Sequence, residues 1–359
     1  MKLSKVTYIW IDGAVPTQTL RSKTKILKQP SKPFVPSDLP KWNFDGSSTN
    51  QAVGHDSDLT LQAVCVVNDP IEGEGNYLAL CEVLNPDGTP HKSNKRAHLV
   101  NIMENGGKAH DPWMGFEQEY TLFKGLQPLG WPERGYPAPQ GPFYCGVGAD
   151  EVFGRYLVDR HTQACLDAGI MLYGVNAEVM PGQWEFQIGY RDIDGEVADP
   201  LTVSDHLWLA RWLLYRLGED YDITARLHPK PVKGDWNGAG KHTNISTRET
   251  RDTKTGMDAI QKAIKSLEAR HKDHIAVYGS DLDMRLTGLH ETASIHTFDA
   301  GVGHRGASIR IPRPVAEKGY GYLEDRRPGA NANPYEVAAI LVETICEIKL
   351  PEKQITDHA

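Results

Sequence analysis

The chain has 359 residues, a formal net charge of −8 and a pI near 6.0. At this length we expect two domains with a substantial core, and the mixed charge excludes a broad basic surface for nucleic acid. Five cysteines, an odd number without a C-x-x-C pair, argue against a disulfide framework. Asp12 comes too early for a signal-peptide core, and no apolar run reaches membrane-spanning length, so we expect a cytoplasmic protein with no membrane partner.

The first 90 residues contain short apolar runs separated by Gly, Pro, Asp and Asn, a pattern typical of a small β-rich domain. These runs are residues 6–11, 59–67 and 77–84. NPDGTP at 85–90 predicts a turn, and the charged, helix-like stretch after His91 opens the larger part. We therefore expect domains at 1–90 and 91–359.

Three later segments have helical patterns with recognisable ends. The spacing predicts helices over 150–168, 204–217 and 333–350, the first stopping at Gly169 and the last capped by Asn333. Strands and helices are interleaved without a regular βαβ repeat, which predicts the α+β class.

GFEQEYTLF at 115–123 reads as a strand that carries two acidic residues. Side chains two apart on a strand share a face, so Glu117 and Glu119 would project together. Two neighbouring carboxylates repel unless a cation or a shared proton compensates them. A divalent cation with oxygen ligands is the simplest compensation.

Further metal-binding residue types stand in apolar or glycine-rich contexts. They are Glu178 and Glu185 in AEVMPGQWEFQIG, His242 in NGAGKHTNIS, and Glu324 in GYLEDRRPGANANP. Carboxylates with one imidazole suit Mg²⁺ or Mn²⁺ better than zinc, so the sequence predicts a site for two hard metal ions.

Two glycine-rich stretches fail as nucleotide-binding loops. GVGHRG at 301–306 fits G-x-G-x-x-G but leads into a strand-like ASIRIPR, whereas that fingerprint must open a helix. GDWNGAGK at 234–241 has glycines one residue too far apart for a phosphate loop. Arginine remains as the phosphate-binding residue type, because guanidinium pairs well with phosphate and carboxylate. The candidates are Arg285, Arg305, Arg310, Arg326 and Arg327.

Nine segments, in this order, resemble the type II (eukaryotic-like) glutamine synthetases. They are TYIWIDG at 7–13, KWNFDGSST at 41–49, FEQEYTLF at 116–123, GPFYCGVGAD at 141–150, AEVMPGQWEFQIG at 177–189, WNGAGKHTN at 236–244, RLTGLHETAS at 285–294, RGASIRIPR at 305–313 and YLEDRRP at 322–328. The resemblance spans nearly the whole chain, and nine collinear motifs make chance a poor explanation.

The resemblance implies an N-terminal β-grasp domain and a larger catalytic domain with a twisted, open, barrel-like sheet flanked by helices. It also implies active sites between neighbouring subunits of a homo-oligomer, typically a decamer of two stacked pentameric rings. The expected reaction joins ammonium to L-glutamate with ATP, through γ-glutamyl phosphate, and yields L-glutamine, ADP and phosphate.

The resemblance also assigns roles to residues. One metal ion would be held by Glu119, Glu178 and Glu185, and the other by Glu117, His242 and Glu324. Glutamate would be bound by Asn237, Gly238, Arg285 and Arg305. ATP and its phosphates would be bound by Trp113, Arg310, Tyr322, Arg326 and Arg327. The implied catalytic residues are Asp45, Glu291 and Arg326, and the ammonium pocket would be completed by Ser48, Ser57 and Asp58 of a neighbouring subunit.

Three alternatives remain open from the sequence. The nucleophile could be an organic amine, as in a γ-glutamyl ligase, although Asp45, Ser57 and Asp58 favour a pocket for a small cation such as ammonium. A catalytically silent structural homologue would be expected to lose metal-binding carboxylates or Arg326, and these are present. A phosphoryl-transfer kinase would release phosphate regardless of ammonium. The role of Lys241, next to His242, is left open.

Overall fold

The computed structural model describes residues 2–139, 141–189 and 198–350, and the fourteen strands in these ranges form two sheets. The strands, β1–β14, are Leu3–Ile11, Leu20–Lys28, Trp42–Asp45, Asp58–Asn68, Tyr77–Leu84, Trp113–Lys124, Gln127–Pro128, Leu172–Ala177, Gln183–Ile188, Thr224–Arg226, Lys241–Ser246, Ala300–Val302, Ile309–Ile311 and Leu323–Asp325. The helices, α1–α8, are Lys95–Glu104, Arg155–Ala168, Pro200–Glu219, Gly256–Ala269, His271–Val277, Leu282–Arg285, Arg313–Lys318 and Pro334–Ile345. Interleaved strands and helices confirm the predicted α+β class. Over these ranges, every helix is too short or too polar to span a membrane.

The first sheet contains the N-terminal strands in the order β2-β1-β5-β4-β3. β1 runs parallel to β5, and the other neighbours are antiparallel. Side chains alternate along β1, so its two faces serve different cores. Tyr8 and Trp10 pack in a small aromatic core with Phe44, whereas Ile9 packs with the helices of the main core. The predicted boundary at residue 90 falls between β5 and α1, and it stays a prediction.

The second sheet has the order β12-β13-β14-β11-β6-β9-β8, and β7 and β10 also pair with β6. Phe116 and Tyr120 of β6 are fully buried in the main core, to which α3 contributes much of its length. Glu117 and Glu119 alternate with these residues and therefore point to the opposite face. The sheet thus buries one face under helices and leaves the other for charged side chains.

Two helices begin at residues other than those predicted. α2 begins at Arg155 rather than near 150, because Gly154 precedes it with φ +84°. A Cβ at Gly154 would lie 2.4 Å from Leu122 Cδ1, so the turn into the helix requires glycine there. α3 begins at Pro200, before the predicted start, because the Asp199 side chain accepts hydrogen bonds from two first-turn amides.

α8 is capped by Asn333, as predicted, but it ends at Ile345 rather than Leu350. Glu347 has a left-handed φ of +53°, and the Ile348 amide donates to the Glu343 carbonyl at 2.9 Å. This hydrogen bond, from an amide beyond the helix to a carbonyl five residues earlier, is characteristic of the Schellman motif. The motif ends the helix here although no glycine is present.

A buried ion pair joins three helices behind the second sheet. Arg96 of α1 donates two hydrogen bonds, at 2.9 and 3.0 Å, to Asp205 of α3, and Tyr335 of α8 donates to the same carboxylate at 2.6 Å. Asp205 is buried, so its charge depends on these donors for compensation.

We expect Asp205→Asn to lower the free energy of unfolding by about 3 kcal/mol, because it leaves the Arg96 guanidinium without an anionic partner. The measurement is the urea unfolding midpoint. Asp220→Asn, which breaks an exposed pair with Arg216, is the matched control and should cost less than about 1 kcal/mol. Equal losses in the two variants would contradict the role given to Asp205.

Candidate active site

A pocket lined by charged side chains lies on the open face of the second sheet. It collects residues from β6, β9, β11, β13, β14 and α6 and from the loops beside them. Those predicted as site residues are Glu117, Glu119, Glu178, Glu185, Asn237, Gly238, His242, Arg285, Glu291, Arg305, Arg310, Glu324 and Arg326. Residues separated by up to 209 positions (Glu117 to Arg326) therefore share one cavity.

Strand register explains why the acidic residues meet. Glu117 of β6 lies opposite His242 of β11, and Glu119 lies opposite Glu185 of β9. β14 adds Glu324 on the far side of β11. Because these strands are neighbours and the residues share a face, the carboxylates converge.

Two groups of these side chains have ligand atoms close enough to share an ion. One is Glu117, His242 and Glu324, and the other is Glu119, Glu185 and His242, with ligand atoms within 4.8 Å of one another in each group. The first group has the composition predicted for one metal ion. In the second, His242 stands where the prediction has Glu178, which lines the same pocket but lies outside the group.

The crowded carboxylates hold protons more tightly than usual. Burial, and then the charges of Glu117, Glu119 and Glu178, raise the pKa of Glu185 well above its ordinary value. Burial and the nearby Glu119 raise the pKa of Glu178 to about 8. Burial also raises the pKa of Glu119, although Arg285 opposes that effect. These are the shifts expected of buried carboxyl groups that lie close to one another.

His242 is a neutral imidazole in this arrangement. Burial, and then the charge of Arg326, lower the pKa of His242 well below its ordinary value. Its Nε2 lies 3.1 Å from Arg285 Nη2, and because arginine can only donate, that ring nitrogen accepts. Its Nδ1 lies 3.4 Å from Glu117 and 3.5 Å from Glu324. Neutral imidazole is the form that binds metals, so the donor set fits a hard divalent ion.

Arginines surround the acidic cluster. Glu324 accepts from Arg310 at 2.8 Å and from Arg326 at 2.6 Å, and the hydrogen bond to Glu324 raises the pKa of Arg310. At the mouth, Arg305 pairs with Glu291 at 2.6 Å. These guanidinium groups face the space beside the carboxylates, where a phosphate would find bidentate donors.

An adjoining pocket shares Glu117 and Gln187 with the charged one but has aromatic walls. Trp113, Tyr173 and Tyr322 line it together with residues of β6, β9 and β11. Flat rings beside a charged cavity suit a planar heterocycle joined to phosphates. Trp113 and Tyr322, which are both predicted to bind ATP, thus lie in one pocket.

Comparison with known proteins identifies the family of this chain. The family model described as "Glutamine synthetase, catalytic domain" matches residues 92–276. A glutamine synthetase from Streptomyces viridochromogenes is 56% identical over 95% of this chain and 96% of its own length. One from the fungus Yarrowia lipolytica is 52% identical over 94% of this chain and 90% of its own.

The chain belongs to the glutamine synthetase family. The fungal relative also confirms the resemblance to eukaryotic-like members. The cryo-EM structure of Plasmodium falciparum glutamine synthetase superposes with a TM-score of 0.73 at 17% identity, covering 96% of this chain and 72% of that chain. This likeness confirms the expected glutamine synthetase fold.

Arg327 is the predicted phosphate ligand that this glutamine synthetase fold keeps out of the pocket. Its guanidinium is buried and donates to Asp325 at 2.9 and 2.6 Å. Successive side chains of an extended segment point to opposite sides, so Arg326 faces the pocket and Arg327 faces the core. We correct its role from phosphate binding to support of the site.

Arg285 lines the pocket but is also tied to its wall. Its Nη1 donates to the carbonyls of Arg326 and Arg327 at 3.1 and 3.3 Å, and burial lowers the pKa of Arg285 to about 10. Gly238 packs directly on this side chain, since a Cβ there would lie 2.7 Å from Arg285 Cγ. The role of Arg285 in glutamate binding stays a prediction.

The predicted ammonium-pocket residues lie together but outside this cavity. Asp45 ends β3 opposite Asp58 of β4, and its carboxylate accepts from Ser47 Oγ at 2.6 Å and Ser48 Oγ at 2.7 Å. These bonds to Ser47 and Ser48 lower the pKa of Asp45 to about 2. The Ser57 carbonyl closes the turn by accepting from the Gly46 amide at 2.7 Å. A single chain thus carries two separate parts of the predicted site.

Four amide side chains that the sequence analysis overlooked orient the carboxylates. Asn244 donates to Glu117 at 2.8 Å, Gln183 to Glu119 at 3.3 Å, Asn176 to Glu178 at 2.9 Å and Gln187 to Glu185 at 2.8 Å. Each lies two residues from a predicted metal ligand. The same period-two alternation that pairs Glu117 with Glu119 could have found them.

Lys241, whose role the sequence leaves open, points away from the pocket. It is buried, its Nζ donates to the Ala332 carbonyl at 2.8 Å, and burial and then Arg211 lower its pKa well below the ordinary value. Its neighbour His242 takes the pocket side because side chains alternate along β11. Lys241 therefore anchors the segment that follows Arg327 to the sheet.

The raised pKa of Glu178 predicts how the metal-free protein responds to pH. Between the ordinary value of 4.5 and about 8, the unfolded chain loses the proton and the folded chain keeps it. This contribution to stability is full below about pH 4.5 and is lost as the pH rises toward 8. With chelator present, we expect Glu178→Gln to be more stable than wild type at pH 8, by on the order of 2 kcal/mol.

Urea unfolding of both proteins at pH 5 and pH 8 measures this difference, which should shrink at the lower pH. Adding Mn²⁺ at pH 8 should protect the wild type more than Glu178→Gln, because an ion replaces the proton that glutamine cannot release. Parallel pH profiles for the two proteins would contradict the assignment.

Proposed function

We propose that this protein catalyses ATP-dependent ligation of ammonium to the γ-carboxylate of L-glutamate, which forms L-glutamine, ADP and phosphate. The observation that carries the proposal is a single pocket in which a carboxylate–imidazole cluster faces several guanidinium groups and opens onto an aromatic cavity. Membership of the glutamine synthetase family supports the same reaction.

The reaction needs activation because a carboxylate is electron-rich and has no good leaving group. A γ-carboxylate oxygen attacks the γ-phosphorus of ATP, ADP leaves, and an acyl phosphate forms. The nitrogen of ammonia then attacks the acyl carbon, the C–O bond to phosphate breaks, and inorganic phosphate departs. Ammonium must give up a proton to a base before its nitrogen can attack.

Two hard divalent ions, Mg²⁺ or Mn²⁺, fit the donor atoms. We propose that Glu119, Glu178 and Glu185 hold one, and that Glu117, His242 and Glu324 hold the other. When bound, such ions would neutralise negative charge on the phosphates. The four amides fix the rotamers of the carboxylates beforehand, so that little reorganisation is needed when an ion binds.

The chain's own cations orient the anionic substrates. Arg310 and Arg326 each donate to a Glu324 oxygen in this structure. We propose that both guanidinium groups donate to phosphate oxygens when ATP binds. We assign Arg305, with Asn237 and Gly238, to the glutamate. Trp113 and Tyr322 would flank the adenine in the aromatic cavity.

We assign ammonium binding to the Asp45 cluster of a neighbouring subunit. Hydrogen bonds from Ser47 and Ser48 lower the pKa of Asp45 and so stabilise its carboxylate form, which suits attraction of a small cation. Ser48, Ser57 and Asp58 would add oxygen acceptors beside it. Glu291, at the mouth of the pocket, would close over the acyl phosphate and exclude water. The arrangement requires a homo-oligomer, for which we propose a cytoplasmic decamer of two pentameric rings.

The direct test measures phosphate and glutamine from ATP and glutamate with Mg²⁺, with and without ammonium. We expect both products in equal amounts and only when glutamate and ammonium are both present, because the acyl phosphate is shielded until the amine arrives. Preference for an organic amine, in a parallel panel of primary amines, would move the protein to the γ-glutamyl ligases. No turnover with either Mg²⁺ or Mn²⁺ would overturn the proposal.

Mixed oligomers test whether the site is shared between chains. We expect Asp45→Asn and Glu324→Gln each to lose at least about 100-fold in kcat/KM, and their co-expressed mixture to recover about a quarter of wild-type activity. In random assembly that is the share of interfaces at which both halves are intact.

Glu117→Gln mixed with Glu324→Gln is the matched control. Both changes lie in the same chain's half of the site, so no combination of subunits restores an intact pocket. Recovery in the control, or none in the first mixture, would contradict a site built between subunits.

A further inference from the structure

A hydrogen-bonded chain behind the pocket joins a core arginine to the loop that carries Glu291. Arg327, held by both oxygens of Asp325, donates from Nη1 to His271 Nδ1 at 3.0 Å. His271 lies at the start of α5, and its Nε2 is 2.9 Å from the Ile295 carbonyl oxygen. The chain thus runs from β14 through a helix to the loop.

The hydrogen bond from Arg327 determines the tautomer of His271. Arginine has no acceptor atom, so His271 Nδ1 must accept the bond from Arg327. The remaining proton of a neutral ring then lies on Nε2, where it can be donated to the Ile295 carbonyl. One imidazole therefore satisfies a buried guanidinium and ties down the loop.

The loop, residues 286–295, is closed at its base by hydrogen bonds and has an unfavourable backbone conformation at its tip. The Ile295 amide donates to the Leu286 carbonyl at 2.8 Å, and Thr287 pairs with Ser294 across the loop. At the tip, His290 and Glu291 have left-handed φ values of +52° and +62°. Two consecutive non-glycine residues in this region are conformationally costly, so the surrounding contacts must hold the loop in shape.

The loop does not pack tightly against the residues beneath it. A small cleft lined by His271, Thr292, Ser294 and Arg327 separates it from the end of β14. Phe298, just after the loop, contacts the same pair: its ring centroid lies 5.9 Å from that of His271 and 5.3 Å from the Arg327 guanidinium. The His271–Arg327 pair therefore supports the base of the loop, in addition to the ion pair of Glu291 with Arg305 and the hydrogen bond from Thr292 Oγ1 to the Arg285 carbonyl.

We propose that His271 is a positioning residue that holds the Glu291 loop over the pocket through the Ile295 carbonyl, with Arg327 fixing the imidazole. The inference rests on the proposed function, in which this loop shields the acyl phosphate. When the bond to Ile295 is lost, the loop opens more often and water competes with ammonia for the acyl carbon. Phosphate is then released without glutamine.

Two variants separate this role from general stability. His271→Asn keeps an acceptor for Arg327, but its shorter side chain cannot reach Ile295. His271→Gln carries both an acceptor and a longer donor, and is the matched control. We expect His271→Asn to raise the ratio of phosphate to glutamine several-fold above one and to speed amide exchange across 289–296, while His271→Gln stays close to wild type.

The proposal is overturned if the asparagine variant only lowers kcat, with the product ratio at one and amide exchange unchanged, or if both variants behave alike. If His271→Asn does not fold, Phe298→Leu replaces it in the experiment, because it removes the aromatic ring that contacts both His271 and Arg327. We expect the same rise in the ratio of phosphate to glutamine and the same faster amide exchange. If the wild type makes no glutamine, the proposed function fails. Hydrogen exchange in the variants then still decides whether His271 holds the loop.

Discussion

Five carboxylates share one face of a β-sheet, and their mutual repulsion is the constraint that organises the pocket. Burial and like charge raise the pKa of Glu178 to about 8 and that of Glu185 well above its ordinary value. Such a cluster is stable only with cations or protons in place. Arg310 and Arg326 supply positive charge at one side through Glu324, and divalent ions are the natural complement at the centre.

The support for this cluster comes from behind the sheet. Buried cations hold the backbone that follows β14: Arg285 binds the carbonyls of Arg326 and Arg327, and Lys241 binds that of Ala332. Hydrogen bonds to charged donors are stronger than neutral ones. The segment that presents Arg326 to the pocket is thus fixed from two directions, by Arg285 in the pocket wall and by Lys241, which points away from the pocket. Stable positioning of this kind lowers the reorganisation needed when substrates bind.

Alternation along strands explains both what could be predicted and what was wrong. Glu117 and Glu119 were found because a period-two pattern places them on one face, and the amides that orient the carboxylates obey the same rule. Arg327 was misassigned because sequence shows two adjacent arginines without showing which one turns inward. The start of α2 was misplaced because the left-handed turn at Gly154 depends on a close approach to Leu122, a tertiary contact.

The sequence by itself determined the α+β class, the family and the residue types of the site, because strand periodicity and ordered motifs are local properties of the chain. Only the tertiary structure decided which side chains meet. The pairing of β6 with β9 and β11 sets which acids share an ion, and the Asp45 cluster lies outside the cavity of its own chain. Contacts between distant segments depend on strand register and packing, and neither is encoded in any one stretch of sequence.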